Sequence, residues 1–387
     1  MITETTSTSW FSRMGSSISG VIAGVLFIIF SIGFLFWNEG NAVQVYESLK
    51  EGASSVTSVQ NDSVNASNEG KLVHFSGMTQ TEDTLRDSDF GISQKALKFR
   101  RIVEVYQWVE KSSSKTTEKL GGGTETTTTY TYEKQWSESL VSSANFKEAQ
   151  TPSNPTSKVF DSKTLTASNV KVGAFILPES MVNSLSGYQT VAITPETFSD
   201  LPYGTQEKLK VVANTVYYSV SDTAAPQIGD TRIKFEVVLP QEVSVVAMQK
   251  GSTLEPFTTK NKKTISMIKT GNISAEDMFA SAIEGNNFLT MIFRVIGFFV
   301  IFAGINMLLQ PIRTLFSVVP FFGRIVGFGN SIVAGIFAVG ITLITIAVAW
   351  LFARPLLSVG LIIVVIAAIL VLATMKRNQE AAAQKEK

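Results

Sequence analysis

The sequence predicts a membrane protein of mixed α+β class: four transmembrane helices, one N-terminal and three C-terminal, around a large inserted extracytoplasmic domain rich in antiparallel strands. Two observations carry this. Apolar residues gather in four long runs, and the stretch between the first and second run alternates polar and apolar residues with the period of a half-buried strand.

The runs cover 18–37, 288–309, 325–353 and 356–375. Each approaches or exceeds the ~20 residues a helix needs to cross hydrocarbon at 1.5 Å per residue. Only a helix satisfies its own backbone polar groups there, so the runs are read as helices rather than buried strands. The first is too long for a secretory signal core, and Phe34 to Trp37 offers no small-residue cleavage pattern, so it is expected to stay in the mature protein. Orientation follows the lysines and arginines of the short connections. Arg13, Arg313, Arg324, Lys376 and Arg377 place residues 1–17, 310–324 and 376–387 in the cytoplasm and 38–287 outside. Arg354, in the tight turn before Pro355, faces the other way.

Within 38–287, Ala42, Val45, Tyr46 and Leu49 recur at helical spacing, with Gly52 as a stop. A polar connector, 53–68, leads to KLVHFSG, the first of a series of strands. FRRIVEVYQWVE, 99–110, is the next strand, and Gly121 to Gly123 reverse the chain into a threonine run ending in YTYEKQW. Val103, Val105 and Val109 fall on one face of the 99–110 strand and look inward. Tyr106 and Trp108 fall on the other, where they can meet Tyr130, Tyr132 and Trp136 of the returning strand; these five residues are the candidate interaction surface. Residues 175–185 hold a short helix, Leu209 to Val220 read as strands, and IGDTRIKFEVVLP and EVSVVAMQKGSTLEPF read as a strand pair. Ser274, followed three residues later by Asp277, caps a helix that runs into the second apolar segment. QPIRTLFSVVPFFGR, 310–324, broken by Pro311 and Pro320, reads as a loop in the inner interface.

Chemistry is harder to find. The chain holds no cysteine and one histidine, His74, with no HExxH, no GxSxG and no second histidine beside it. No catalytic residue, cofactor or metal site is therefore predicted, and a formal net charge of +1 gives no electrostatic case for nucleic acid. Arg294 is the single charge inside the second run. Its readings are an interface anchor or a partner for Glu39 or Glu284, and with Arg354 and Glu39 it forms the set of candidate intramembrane or interfacial charges. Gly297, Gly304, Gly327, Gly329, Gly335 and Gly340 permit close helix contacts, within one chain or between copies.

NEG and SLKEG after the first run, NEGKLVHFSG, FRRIVEVYQWVE, YTYEKQW, IGDTRIKF, LEPFTTK, ISAEDMF and LFARPL stand in an order that resembles the transmembrane protein 43 family, also called LUMA, over nearly the whole length. Arg294, Gly297 and Asn306 look like the residue types the family carries in its second membrane helix. The resemblance implies a non-enzymatic, homo-oligomeric scaffold that organises membrane protein complexes, lamins and an emerin-type partner among them, at the endoplasmic reticulum and inner nuclear membrane. A short Ser/Thr-rich segment stands where animal members carry a long basic one. The expectation is a bacterial member in the inner membrane, with membrane lipids, copies of itself and other membrane proteins as partners. The competing expectation is a membrane-anchored protein that binds lipid or another apolar ligand.

Overall fold

A computed structural model describes residues 2–148, 153–199 and 201–351, with four isolated positions beyond them. Arg354, and the run 356–375 apart from those positions, lie outside the described residues. The described α-helices are α1 (Trp10–Ser55), α2 (Glu179–Ser184), α3 (Tyr203–Gln206), α4 (Ala275–Phe316) and α5 (Pro320–Trp350). The chain divides into two compact units, one of residues 1–3, 48–113 and 128–281 and the other of 4–47, 114–127 and 282–387.

The first unit is built around two large sheets. In one, the central strand Lys98–Glu118 lies between Thr124–Ser137 and Thr231–Val238, with Thr215–Tyr218 and Leu209–Val212 continuing outward. The last two strands form a tight hairpin whose turn residues, Ala213 and Asn214, both have positive φ, of 48° and 62°. Asparagine tolerates that region, and its side chain accepts the backbone N–H of Ile193 at 3.1 Å. In the other sheet Leu72–Thr81 pairs antiparallel with Glu242–Lys250, His74 opposite Val246. Further pairings through Thr253–Glu255, Phe175–Ile176 and Val170–Val172 return to Leu72–Thr81 and close a circuit of five strands. Closure leaves Glu242–Lys250 buried on both faces from Val243 to Ala247, which suits its apolar run, interrupted by Ser244, whose hydroxyl bonds Ser76 and the Gly271 carbonyl.

The two sheets share a core. Phe75 and Phe175 stack with centroids 4.4 Å apart, and Phe235 meets Phe90 and Phe99 at 5.3 and 5.9 Å. At about 25 cal/mol per Å² of apolar surface, each buried phenylalanine contributes roughly 1.5–3 kcal/mol before entropy is charged against it. No disulfide supplements this packing, because there is no cysteine.

One expectation is corrected here. Thr231–Val238 and Glu242–Lys250 are not paired with each other; they lie in different sheets. Leu239, Pro240 and Gln241 carry the chain across, and the exchange of Thr79 and Gln241 backbone and hydroxyl bonds, at 2.8 to 3.0 Å, fixes the arrival on the second sheet. Proline has no N–H to extend a ladder, so a two-strand hairpin is disfavoured at this point. The arginine pair of FRRIVEVYQWVE divides between the two faces of its strand. Lys98–Glu118 begins before it, and strand parity sends Arg101 to the valine face.

Arg101 is 4 % exposed and donates through Nη1 to both carboxylate oxygens of Asp87 at 2.8 Å. The same nitrogen lies 2.8 Å from Asp89 Oδ2, and Nε donates to the Asp161 carbonyl at 2.9 Å. Asp87, 1 % exposed, also accepts the backbone N–H groups of Asp89 and Phe90, so the buried charges are paired and their lone pairs engaged.

In the second unit α1 runs unbroken for 46 residues, carrying the first apolar run into the short helix expected to continue from it. No proline interrupts it, and Gly52 falls within its last turn instead of ending it. α4 likewise continues through Pro311 to Phe316, and α5 starts at Pro320. The expected loop 310–324 is thus reduced to residues 317–319. Pro311 removes one backbone donor but the apolar sequence on either side stays helical, and Pro320 occupies a first-turn position where a missing N–H costs nothing.

Leu35, Ile301, Ile305, Ala334 and Ala338 form the core of the three helices. α1 and α4 cross at Gly24 and Gly304, where a Cβ on Gly304 would stand 2.8 Å from the Gly24 carbonyl. Gly297 makes room for Leu35 in the same way, and Ser31 donates to the Gly297 carbonyl at 2.8 Å. Gly329 and Gly340 face no described atom within 4 Å.

The adjacent arginines yield a paired prediction. Arg101→Met leaves Asp87 buried without its cation and is expected to cost about 3–5 kcal/mol. Arg100→Met, which removes a half-exposed partner of Glu236, is expected to cost at most about 1 kcal/mol. Denaturant melts of the two variants in detergent check this, and equal losses would sink the assignment of Arg101 to the core.

Candidate functional site

The outward face of the Lys98–Glu118 strand is a row of charges that gives way to aromatic rings. Its register places Arg100 opposite Glu236 and Glu104 opposite Arg232. Arg232 donates to the two Glu104 oxygens at 2.8 and 3.0 Å, and Lys234 Nζ lies 3.1 Å away. Burial alone pushes the Glu104 carboxyl up, but the hydrogen bonds and positive charges of Arg232 and Lys234 outweigh it and hold the group below the usual carboxylate range. Arg100 pairs with Glu236 and lies over the Tyr188 ring, 3.8 Å from its centroid.

Next along the face come the five aromatic residues singled out from sequence, all half-buried. Tyr106 and Trp136 meet with centroids 5.1 Å apart. The others do not join them in one ladder. Trp108 lies beneath Lys134, with Nζ 4.9 Å from its ring, and Lys147 Nζ stands 5.8 Å from Tyr130. Tyr132 packs on Phe146 at 5.7 Å and donates its hydroxyl to Glu110 at 2.6 Å. Sequence reasoning missed two members, Tyr217, edge-on to Trp136 at 6.1 Å, and Arg232, whose guanidinium lies 4.7 Å from the Trp136 ring. The alternation of TVYY could have indicated Tyr217; nothing local indicates Arg232. Rings that carry cations on one face and stay half-exposed present amphipathic contact area at low entropic cost.

The second cluster lies within the helical unit. Arg294 of α4 donates from Nε and Nη2 to the two oxygens of Glu39 in α1, at 2.6 and 2.8 Å. Glu39 is fully buried and also accepts the Trp350 indole N–H of α5, while Arg294 stands 5.2 Å from the Trp350 ring centroid. One carboxylate thus ties three helices. Asn286 extends the contact by donating to the Ala42 carbonyl at 3.0 Å. A cleft of about 160 Å³ opens beside these groups, lined also by Tyr46, Asn287 and Thr290. Of the three charges proposed from sequence, Arg294 and Glu39 come together and Arg354 lies outside the described residues.

His74 takes a plain structural place. It is 8 % exposed, its Nε2 donates to the Ile273 carbonyl at 2.9 Å, and Nδ1 lies 3.4 Å from the Ser58 hydroxyl. Among the described residues no group of three or more His, Cys, Asp or Glu could hold a metal ion.

Glu39→Gln and Arg294→Met are each expected to cost about 3–5 kcal/mol, because each strands the other group in a buried site. The double variant is expected to lose clearly less than the sum, and a thermodynamic cycle by thermal melting in detergent reads the coupling. Additive losses would rule out a coupled pair. A pH series addresses Glu104. Its carboxyl is held low in the folded protein, so it stabilises above about pH 4.3, the free glutamate value, and that contribution is lost as pH falls through the folded value. Glu104→Gln is expected to flatten the acid limb of the stability profile, and an unchanged limb would refute the linkage.

Comparison with known proteins brings these features under one family. The family model described as Transmembrane protein 43 matches residues 105–355. Transmembrane protein 43 of Mus musculus is 30 % identical over 369 residues, covering 92 % of this chain and 90 % of the mouse protein. The Homo sapiens protein of the same name is 29 % identical over 360 residues, covering 90 % of this chain and 88 % of its own. The Drosophila melanogaster homolog is 28 % identical over 348 residues, covering 88 % and 90 %. No solved structure matches the chain. Three helices are long and apolar enough to cross a membrane, and the family model spans more than half the sequence. The chain is a membrane protein and belongs to the transmembrane protein 43 family.

Proposed function

We propose that the protein is a non-enzymatic scaffold of the membrane that assembles with copies of itself and organises other membrane proteins through its strand-rich unit. The observation that carries this reading is the outward face of the Lys98–Glu118 strand. There Tyr106 and Tyr217 each meet Trp136 and all three stay half-buried, with Arg232 over Trp136, and Trp108 and Tyr130 carry lysines. Aromatic rings and arginine are the residue types that dominate protein interfaces, and a half-covered row of them gains surface burial on meeting a partner.

Two further observations support it. Gly329 and Gly340 of α5 present backbone to open space among the described residues, as close helix contacts between copies require. The lone histidine donates to a backbone carbonyl, the place of a structural rather than a catalytic imidazole. The lysine and arginine distribution favours a cytoplasmic position for the Arg13, Arg313 and Arg324 end of the helices, with the intervening chain leaving α1 and entering α4 on the opposite side.

A photo-crosslinking residue at position 130, irradiated in native membranes, checks the reading. The expected product joins two polypeptides, and Trp108→Ser with Trp136→Ser is expected to abolish it while leaving the melting curve in place. Crosslinks to lipid alone would favour an apolar-ligand binder instead, and a strictly uncrosslinked chain would remove the interface.

A further inference from the structure

The hairpin tip sits at an end of the helical unit where the chain order does not lead one to expect it. Glu39 of α1 pairs with Arg294 of α4 at one end of the bundle, and the insert leaves α1 and enters α4 there. Arg13 and Thr314 mark the other end, roughly 39 Å away along α1 at 1.5 Å per residue. Residues 114–127, the tip of the hairpin and part of that insert, are docked on this far end.

The docking is specific. Glu118, 13 % exposed, lies with Oε1 3.4 Å from both the Arg13 and the Arg313 guanidinium. Arg13 also donates to the Gly122 carbonyl and, at 3.2 Å, to the Ser317 hydroxyl. Gly121 N–H donates to the Val318 carbonyl at 3.0 Å. The Trp10 indole donates to the Thr314 carbonyl at 2.8 Å and covers Gly122 so closely that no Cβ fits there, at a φ of +78°.

Hydrocarbon cannot surround this arm. Leu120 is the only apolar residue of 114–127, and the edge strand Ile2–Thr8 that joins the hairpin is polar and exposed from Thr3 to Thr8. An open polar sheet edge is not tolerated against lipid tails and persists at membrane depth only inside protein or along water. Two enclosed polar atoms at the dock, Glu118 Oε2 and Arg313 Nε, take no protein partner among the described residues, a cost that water relieves and lipid does not. Other faces of the helices carry the lipid-compatible groups, with Ile22 68 % and Phe30 67 % exposed.

We propose that residues 114–127 are the end of a re-entrant arm, which crosses the membrane in a water-containing passage walled by second copies of the chain and latches through Glu118 onto Arg13 and Arg313. The wall rests on the assembly proposed above; the crossing does not. Absence of cysteine makes the test direct, because single thiols can be introduced into the full chain. Ser12→Cys, Leu120→Cys and Glu284→Cys, each in sealed vesicles of known orientation, are exposed to a membrane-impermeant maleimide. The thiol of Leu120→Cys is expected to react from the same side as that of Ser12→Cys, and the thiol of Glu284→Cys from the other. Reaction of the Leu120→Cys variant from the side of the Glu284→Cys variant overturns the crossing. Thr5→Cys and Thr6→Cys, on the two faces of the edge strand, are expected to give a disulfide-linked dimer on oxidation. If neither links while a lysine-reactive reagent still joins copies, the wall is not a second copy, though the assembly stands. If neither reagent joins copies, both readings fall.

Discussion

A carboxylate removed from water needs its charge and its lone pairs answered by the protein, and in the helical unit Glu39 makes that demand in full. Glu39 is fully enclosed, and the groups that answer it come from two other helices, the Arg294 fork and the Trp350 indole. The geometry is demanding because bidentate pairing fixes the guanidinium plane and the indole N–H fixes α5 against the same oxygen. Shape complementarity along the glycines sets how close the helices come; the ion pair sets their register. Burial of such a pair is seldom stabilising by itself compared with apolar packing, and specificity of arrangement is the property it confers here.

The strand-rich unit repeats this solution with other residues. Arg101 meets Asp87 and Asp89 on the inner face of the strand, while its neighbour Arg100 stays at the surface with Glu236 and Tyr188. One dipeptide therefore serves core and exterior by strand parity alone. Further along, the exterior side turns aromatic, and arginine and lysine over the rings keep these residues compatible with water. On the proposed function, stability and recognition are carried by opposite faces of one strand.

Much of this was legible in the sequence, for reasons that separate local from distant effects. Long apolar runs identified three described helices, glycines marked the hairpin turn, and valines at period two marked the inner face at Val103 and Val105. Arg101 shares that parity, but its counterion sits 14 residues away in a bend with no periodic signature. The partners of Thr231–Val238 and Glu242–Lys250 depend on which sheet closes around each, which short-range alternation does not encode. Proline rules placed a loop at 310–324 because they weigh a lost donor without weighing apolar surroundings. The pairing of Arg294 with Glu39 was one of two partners the charge pattern allowed; Trp350 was not among them.

On this reading the chain is a building block whose outer aromatic face and helix surfaces are completed by other protein. The central claim is assembly in the membrane without chemistry. Native mass spectrometry of the protein ejected directly from its own membrane tests that claim most directly. The expected spectrum holds peaks at whole-number multiples of the chain mass greater than one, persisting when the total concentration is lowered. A spectrum holding only single chains across the accessible concentration range contradicts it.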